Sequence, residues 1–132
     1  PFVFGDLTEG LEVPALYFGL PGNPLSSVVG SLQFIIPALW RLSGINIEDI
    51  PVPVTLTATL ANDVRKSPGR ADFQRGIFSQ NAAGEYVVST AGKQDSHRIK
   101  QLSLANCLIV LPKDSGNLVA GDKVTIQLFP WY

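Results

Sequence analysis

The sequence of 132 residues has no methionine, one cysteine and one histidine. A lone cysteine, Cys107, excludes an internal disulfide. With His97 as the single histidine, there is no Cys/His cluster and hence no zinc site of the usual kind. Cys107 sits in the apolar run Cys107-Leu108-Ile109-Val110-Leu111, where a buried, inert thiol is expected rather than a nucleophile. Without methionine, and opening on Pro1-Phe2-Val3-Phe4 with no charged leader, the chain is expected to begin inside a longer protein. A net charge of −1 gives no general attraction to nucleic acid or anionic membrane. No uninterrupted apolar run approaches the ~20 residues that span a bilayer. A cytoplasmic setting, with neither nucleic acid nor membrane as partner, is therefore expected.

What is present is organised around Gly19-Leu20-Pro21-Gly22-Asn23-Pro24-Leu25-Ser26-Ser27. It follows the apolar run Ala15 to Phe18 and opens a second one, so it reads as strand, tight turn and helix. Asn23 is placed to cap the helix, and Pro24 to start it, where a missing N–H costs nothing. Gly19 and Gly22 allow a sharp bend or a close approach. The N–H groups of Leu25, Ser26 and Ser27, backed by the helix dipole, would offer an anion site, with the Ser26 hydroxyl as a further donor. A capped helix that binds nothing is the competing reading.

Phe2-Val3-Phe4 is a short strand candidate, and Pro14 to Phe18 reads as a buried strand of the parallel-sheet kind. A helix is expected from Pro24 to Leu42, with Leu25, Val28, Val29, Leu32, Ile35, Ile36, Leu39 and Leu42 close to the apolar helical pattern and a kink at Pro37. Ser43-Gly44 is its stop signal. The stretch Ile45 to Pro53 reads as a linker. After it the period changes from helical to two: Val54, Leu56, Ala58 and Leu60 alternate with threonines. Further strands are expected over Asp72 to Ser79, Glu85 to Thr90, Cys107 to Leu111 and Lys123 to Leu128, and a short helix over Arg98 to Leu104. Five or six short strands with Gly/Asn turns point to a small β-barrel or sandwich.

Charge is uneven along the chain. Residues 1–50 hold five acids against Arg41, whereas residues 62–100 hold seven bases against four acids. The bases include Arg70 and Arg75 in Ser67-Pro68-Gly69-Arg70-Ala71-Asp72-Phe73-Gln74-Arg75-Gly76. Their planar guanidinium forks suit oxyanions such as phosphate or molybdate. Arg75 as a structural salt-bridge partner is the alternative. A second polar stretch, Gly92-Lys93-Gln94-Asp95-Ser96-His97, sets a serine beside a histidine. No Gly-x-Ser-x-Gly elbow accompanies it, so hydrolase chemistry is rejected. Ser96 reads better as a hydrogen-bond donor to an anion, or as a loop cap.

Together these stretches resemble the molybdopterin molybdenumtransferase (MoeA/gephyrin E-domain) family. The resemblance rests on Gly-Leu-Pro-Gly-Asn-Pro-x-Ser at 19–26 and on Pro37-Ala38-Leu39 and Leu42-Ser43-Gly44. It rests also on Pro68-Gly69-Arg70-x-Asp72-Phe73-x-Arg75-Gly76, Gly92-x-Gln94-x-Ser96-His97 and Leu102 to Leu111. It covers nearly the whole chain. It implies that residues 1–46 are the last strands and helix of a MogA-like α/β domain, and that residues 47–132 are the small C-terminal β-barrel domain (domain IV-like). It implies an enzyme that moves molybdenum from molybdate onto adenylylated molybdopterin, with Mg2+ assisting. It also implies a homodimer and a MogA-type adenylyltransferase as a possible partner. Carried over by motif, Ser26, Arg75 and Ser96 become catalytic candidates, and Pro21, Gly22, Asn23, Pro24 and Arg70 cofactor-binding ones, with no metal ligand among them. A helix start, a hydroxyl and a guanidinium are donors that suit a dianion without a protein nucleophile.

A non-catalytic scaffold of the gephyrin type and a generic ligand-binding barrel are the competing classes. The family's catalytic acids and lysines precede this stretch, so the 132-residue chain alone is expected to have no transferase activity. Its apolar helix is expected to drive self-association. Sedimentation at rising concentration checks this: a weight-average mass that climbs above one chain is the expected outcome, and a constant monomer refutes it.

Overall fold

The computed structural model describes residues 2–6, 9–10, 15–91 and 104–131. They form two compact units, Pro1–Pro51 and Val52–Tyr132, which divide inside the Pro-containing linker. Strands and a helix make up the first unit and a closed β-barrel the second, the mixed α/β plus all-β order read from the periodicities.

In the first unit β1 (Val3–Asp6) pairs with β2 (Leu16–Gly19). The pairing is antiparallel, with Phe4 opposite Phe18, and Leu16 and Tyr17 are exposed. The expectation of a buried parallel strand is therefore corrected. An all-apolar run reads as covered on both faces, but within this chain β2 is one half of a two-stranded ribbon. Helix α1 (Pro24–Leu42) follows and packs on the ribbon through aromatic contacts, Phe2 to Phe34 at 4.9 Å and Phe2 to Phe18 at 6.3 Å between ring centroids. Gly30 permits the approach, since a Cβ there would lie 3.2 Å from Phe2 and 3.3 Å from Leu20.

Pro37 does not break α1. A π-turn over Ser31–Ile35 precedes it, with the Ile36 N–H donating to the Ser31 carbonyl. The wider turn accommodates a ring that would otherwise meet the carbonyl four residues back. At the far end Gly44, at φ +92°, donates its N–H to Arg41, and Ile45 donates to Trp40, which closes the helix in a Schellman motif. By length and composition α1 could cross a bilayer, against the expectation that no segment would. Ser26, Ser27, Ser31, Gln33 and Arg41 interrupt the apolar run without making the helix polar. The core helix of a soluble domain passes the same test.

The second unit closes in the order β3 (Thr55–Leu60), β5 (Tyr86–Thr90), β4 (Asp72–Gln80), β6 (Cys107–Leu111), β7 (Lys123–Leu128) and back to β3. All neighbours are antiparallel except β3 and β5, which pair in parallel at Thr59–Val87 and Leu60–Val88. Alternation fills the interior with Ala58, Leu60, Val88, Cys107, Ile109, Leu111, Val124 and Ile126. At the β4–β5 hairpin the Asn81 carboxamide oxygen accepts from the Ala83 and Glu85 N–H groups, and Gly84 takes φ +82°. Asn106 extends β6 by one step. Its side chain exchanges two hydrogen bonds with the main chain of Phe78, at 2.8 and 2.9 Å.

Gly76 is the most tightly enclosed of the described glycines. A Cβ there would lie 2.7 Å from the Cys107 sulfur, 2.9 Å from Val88 and 3.0 Å from Ile109. Gly76→Ala is therefore expected to lower stability by about 1–3 kcal/mol. Urea unfolding followed by tryptophan fluorescence checks it, and an unchanged midpoint would refute the close approach.

Candidate functional site

β2 delivers Gly19 to the turn, and the turn delivers Asn23 to the start of α1. The Asn23 side-chain oxygen accepts from the Leu25 N–H at 3.1 Å, and Pro24 occupies the first helical position, as the capping pattern requires. Ser27 holds the loop. Its hydroxyl donates to the Pro21 carbonyl at 2.6 Å and reaches the Asn23 carbonyl at 3.1 Å. The sequence reading credits Ser27 with its N–H alone and not with its hydroxyl. A hydroxyl at the fourth helical position, with a carbonyl-rich Pro-Gly turn behind it, was the available signal.

These bonds narrow the anion site. The Leu25 N–H serves the cap and the Ser27 N–H donates to the Asn23 carbonyl at 3.0 Å. Of the three amides read as donors, only that of Ser26 remains among the described residues, beside its own exposed hydroxyl. Pro21, Gly22, Asn23, Pro24 and Ser26 thus stand together on one turn, with Gly22, Pro24 and Ser26 exposed.

In the second unit Arg70 and Arg75 occupy different environments. Arg70 is exposed and follows Gly69, which takes φ +112° in the turn before β4. Arg75 lies in mid-strand and is only 1% exposed. Gly76 faces the barrel interior, so Arg75 belongs to the outer wall. There it stands in register with Leu108, which in turn pairs with Gln127. All three are shielded from solvent, so this row of the outer wall is covered. Ser96 and the short helix expected over Arg98 to Leu104 fall outside the described residues, except for Leu104 itself.

The turn carrying Arg70 is pinned from below by Lys66, a residue counted in the sequence only as one base among seven. Lys66 is 7% exposed, and its ammonium donates to the carbonyls of Ser67 (3.3 Å), Lys113 (3.3 Å) and Ser115 (2.9 Å). Gln74 bridges the Arg65 carbonyl and the Asp72 carboxylate at 3.0 and 2.9 Å. Among the described residues no group of three or more His, Cys, Asp or Glu could hold a metal ion. One shallow cavity of about 330 Å³ lies between β6, β7 and the 112–118 loop, and another of about 310 Å³ beside Trp40. None of the sequence-predicted site residues lines either one.

The class is thus a five-stranded barrel domain preceded by a two-stranded ribbon and a helix, with no metal cluster among the described residues and an arginine-bearing turn and strand. Comparison with known proteins sharpens this. Residues 57–129 match the sequence profile of the MoeA C-terminal region (domain IV), and the chain belongs to that family. It is 38% identical over 129 residues to the molybdopterin molybdenumtransferase of Haemophilus influenzae, covering 98% of this chain and 30% of that protein. It is 34% identical over 113 residues to the gephyrin of Dictyostelium discoideum, covering 83% of this chain and 16% of that one. The chain therefore spans less than a third of these relatives. Among solved structures, a molybdenum cofactor biosynthesis protein from Pyrococcus furiosus matches at TM-score 0.68 and 27% identity, over 88% of this chain and 41% of the other. A molybdopterin biosynthesis MoeA protein from Pyrococcus horikoshii matches at 0.67 and 26%, over 85% and 27%.

Burial pushes the Cys107 thiol up to about 12, against a smaller opposing effect of the Phe78 main chain. The folded protein then holds this proton more tightly than the unfolded chain. Stability linked to Cys107 is complete below about pH 9 and falls as pH rises from there toward 12. Native chain is expected to resist iodoacetamide at pH 8 and to be alkylated fully in urea. Stoichiometric alkylation without denaturant would contradict the burial.

Proposed function

We propose that this chain is the C-terminal part of an enzyme that inserts molybdenum from molybdate into adenylylated molybdopterin, releasing AMP. The observation that carries the reading is the 38% identity to a molybdopterin molybdenumtransferase over nearly the whole chain. The donor chemistry supports it. Molybdate is a doubly charged oxyanion, and guanidinium groups, a hydroxyl and a main-chain amide complement it by charge and hydrogen bonding. In this reading Arg75 and Ser96 are the oxyanion contacts of the barrel unit, Arg70 steadies the phosphate-bearing substrate there, and Ser26 offers a hydroxyl and an amide at the helix start of the first unit. The work of these residues is positioning and charge neutralisation rather than covalent catalysis.

The described residues offer no carboxylate cluster that fits Mg2+, so no step is assigned to that ion here. The enzyme is proposed to act in the cytoplasm as a homodimer, on substrate supplied by a MogA-type adenylyltransferase.

Arg75 decides the reading, because a residue so deeply placed in the barrel wall could serve stability alone. Arg75→Lys keeps the charge and removes the planar fork. In the full-length protein it is expected to reduce kcat/KM for molybdenum insertion roughly a hundredfold, with the melting midpoint changed by only a few degrees. A lowered midpoint with unchanged kcat/KM would make Arg75 structural.

A further inference from the structure

We propose that Lys66 is a positioning residue for the anionic substrate, acting through the turn that carries Arg70. This inference rests on the reading of Arg70 given above. The segment Ser67 to Arg70 is exposed throughout, so little apolar burial anchors it. It is held instead by polar bonds to the loop after β6. The Lys66 ammonium joins the Ser67 carbonyl on one side to the Lys113 and Ser115 carbonyls on the other. The Gly69 N–H donates to the same Lys113 carbonyl at 2.9 Å, and the Lys66 N–H to the Asn117 side chain at 2.9 Å. An isolated bridge between Val64 and Leu118 completes the seam.

Two physical features give this staple a role beyond holding two loops together. All three donors of the ammonium are used, so its geometry is determined, and with it the course of the chain one to four residues on. Its partners are carbonyls. Among the described residues no carboxylate neutralises it. A positive charge held beneath the turn adds to the field of Arg70, and low surrounding polarisability preserves that field better than water would. Arg70 is thereby both aimed and electrostatically backed, which reduces the ordering it must undergo when an oxyanion arrives.

The test uses the full-length protein with molybdate and AMP as separate probes, by titration calorimetry at low ionic strength. Arg70→Ala is expected to weaken at least one probe about tenfold. Lys66→Met is expected to weaken that same probe by roughly threefold or more. In the double variant the loss should fall clearly short of the sum of the two single losses, because Lys66 acts largely through the turn that positions Arg70. Lys66→Arg should recover part of the loss. Should Lys66→Met not fold, Asn117→Ala loosens the same seam from an exposed position and should weaken the same probe to a smaller extent. A lowered melting midpoint with unchanged anion affinity in Lys66→Met, or in Asn117→Ala where that variant is used, overturns the inference. So does a double variant whose losses add. Unchanged binding in Arg70→Ala defeats the reading of Arg70 itself, and the inference falls with it.

Discussion

The barrel depends on one crowded interior position, Gly76 on β4, between its hydrogen-bonded neighbours β5 and β6. Three interior side chains, those of Cys107, Val88 and Ile109, already fill the space a Cβ would need. These side chains can pack together there only because this position has none. The register set there places Cys107 opposite Gly76 and Leu108 opposite Arg75. With period two along each strand, the same register sends Arg75 to the outer wall and the apolar set inward. A slip of one residue would bring the guanidinium into the core, so the placement of Arg75 and the packing of the interior are one constraint.

Polar side chains do the fastening that a small core cannot. Asn106 pairs with both main-chain groups of Phe78. Asn62 does the same work near Thr90, donating to its hydroxyl at 3.0 Å and accepting from its N–H at 3.1 Å. Lys66, Gln74 and Asn117 lace the loop before β4 to its neighbours. Buried polar groups cost stability unless they are hydrogen-bonded, and here buried Lys66 and Gln74 are both bonded to main-chain carbonyls, Gln74 also to a carboxylate. The loops at this end of the barrel are thus held by direction-specific bonds, a suitable support for side chains that must meet an anion in a defined geometry.

Local chemistry was legible from the residues alone. Asn23 and Pro24 announce the helix start, Gly44 its end, and the Thr/Leu alternation from 55 to 60 the first barrel strand; each behaves as its covalent structure requires. What was not legible depends on partners distant in sequence. The apolar run before Gly19 reads as a doubly covered strand, yet its partner here is a single antiparallel neighbour. Period two assigns Arg75 to one face of β4 but says nothing of whether that face is covered. Lys66 looks like any surface base, because its partners are main-chain carbonyls up to 49 positions away. The π-turn ahead of Pro37 is likewise a response of the backbone rather than a property of any one side chain.

Closure of the barrel joins β3 to β7, so that Thr55 faces Gln127 across the whole length of the domain. Pairing at such sequence separation is entropically late. Until β7 docks, β3 and β6 each present an open hydrogen-bonding edge to solvent. A barrel that has formed every pairing but those of β7 is the state in which this domain is most exposed to mispairing with another chain.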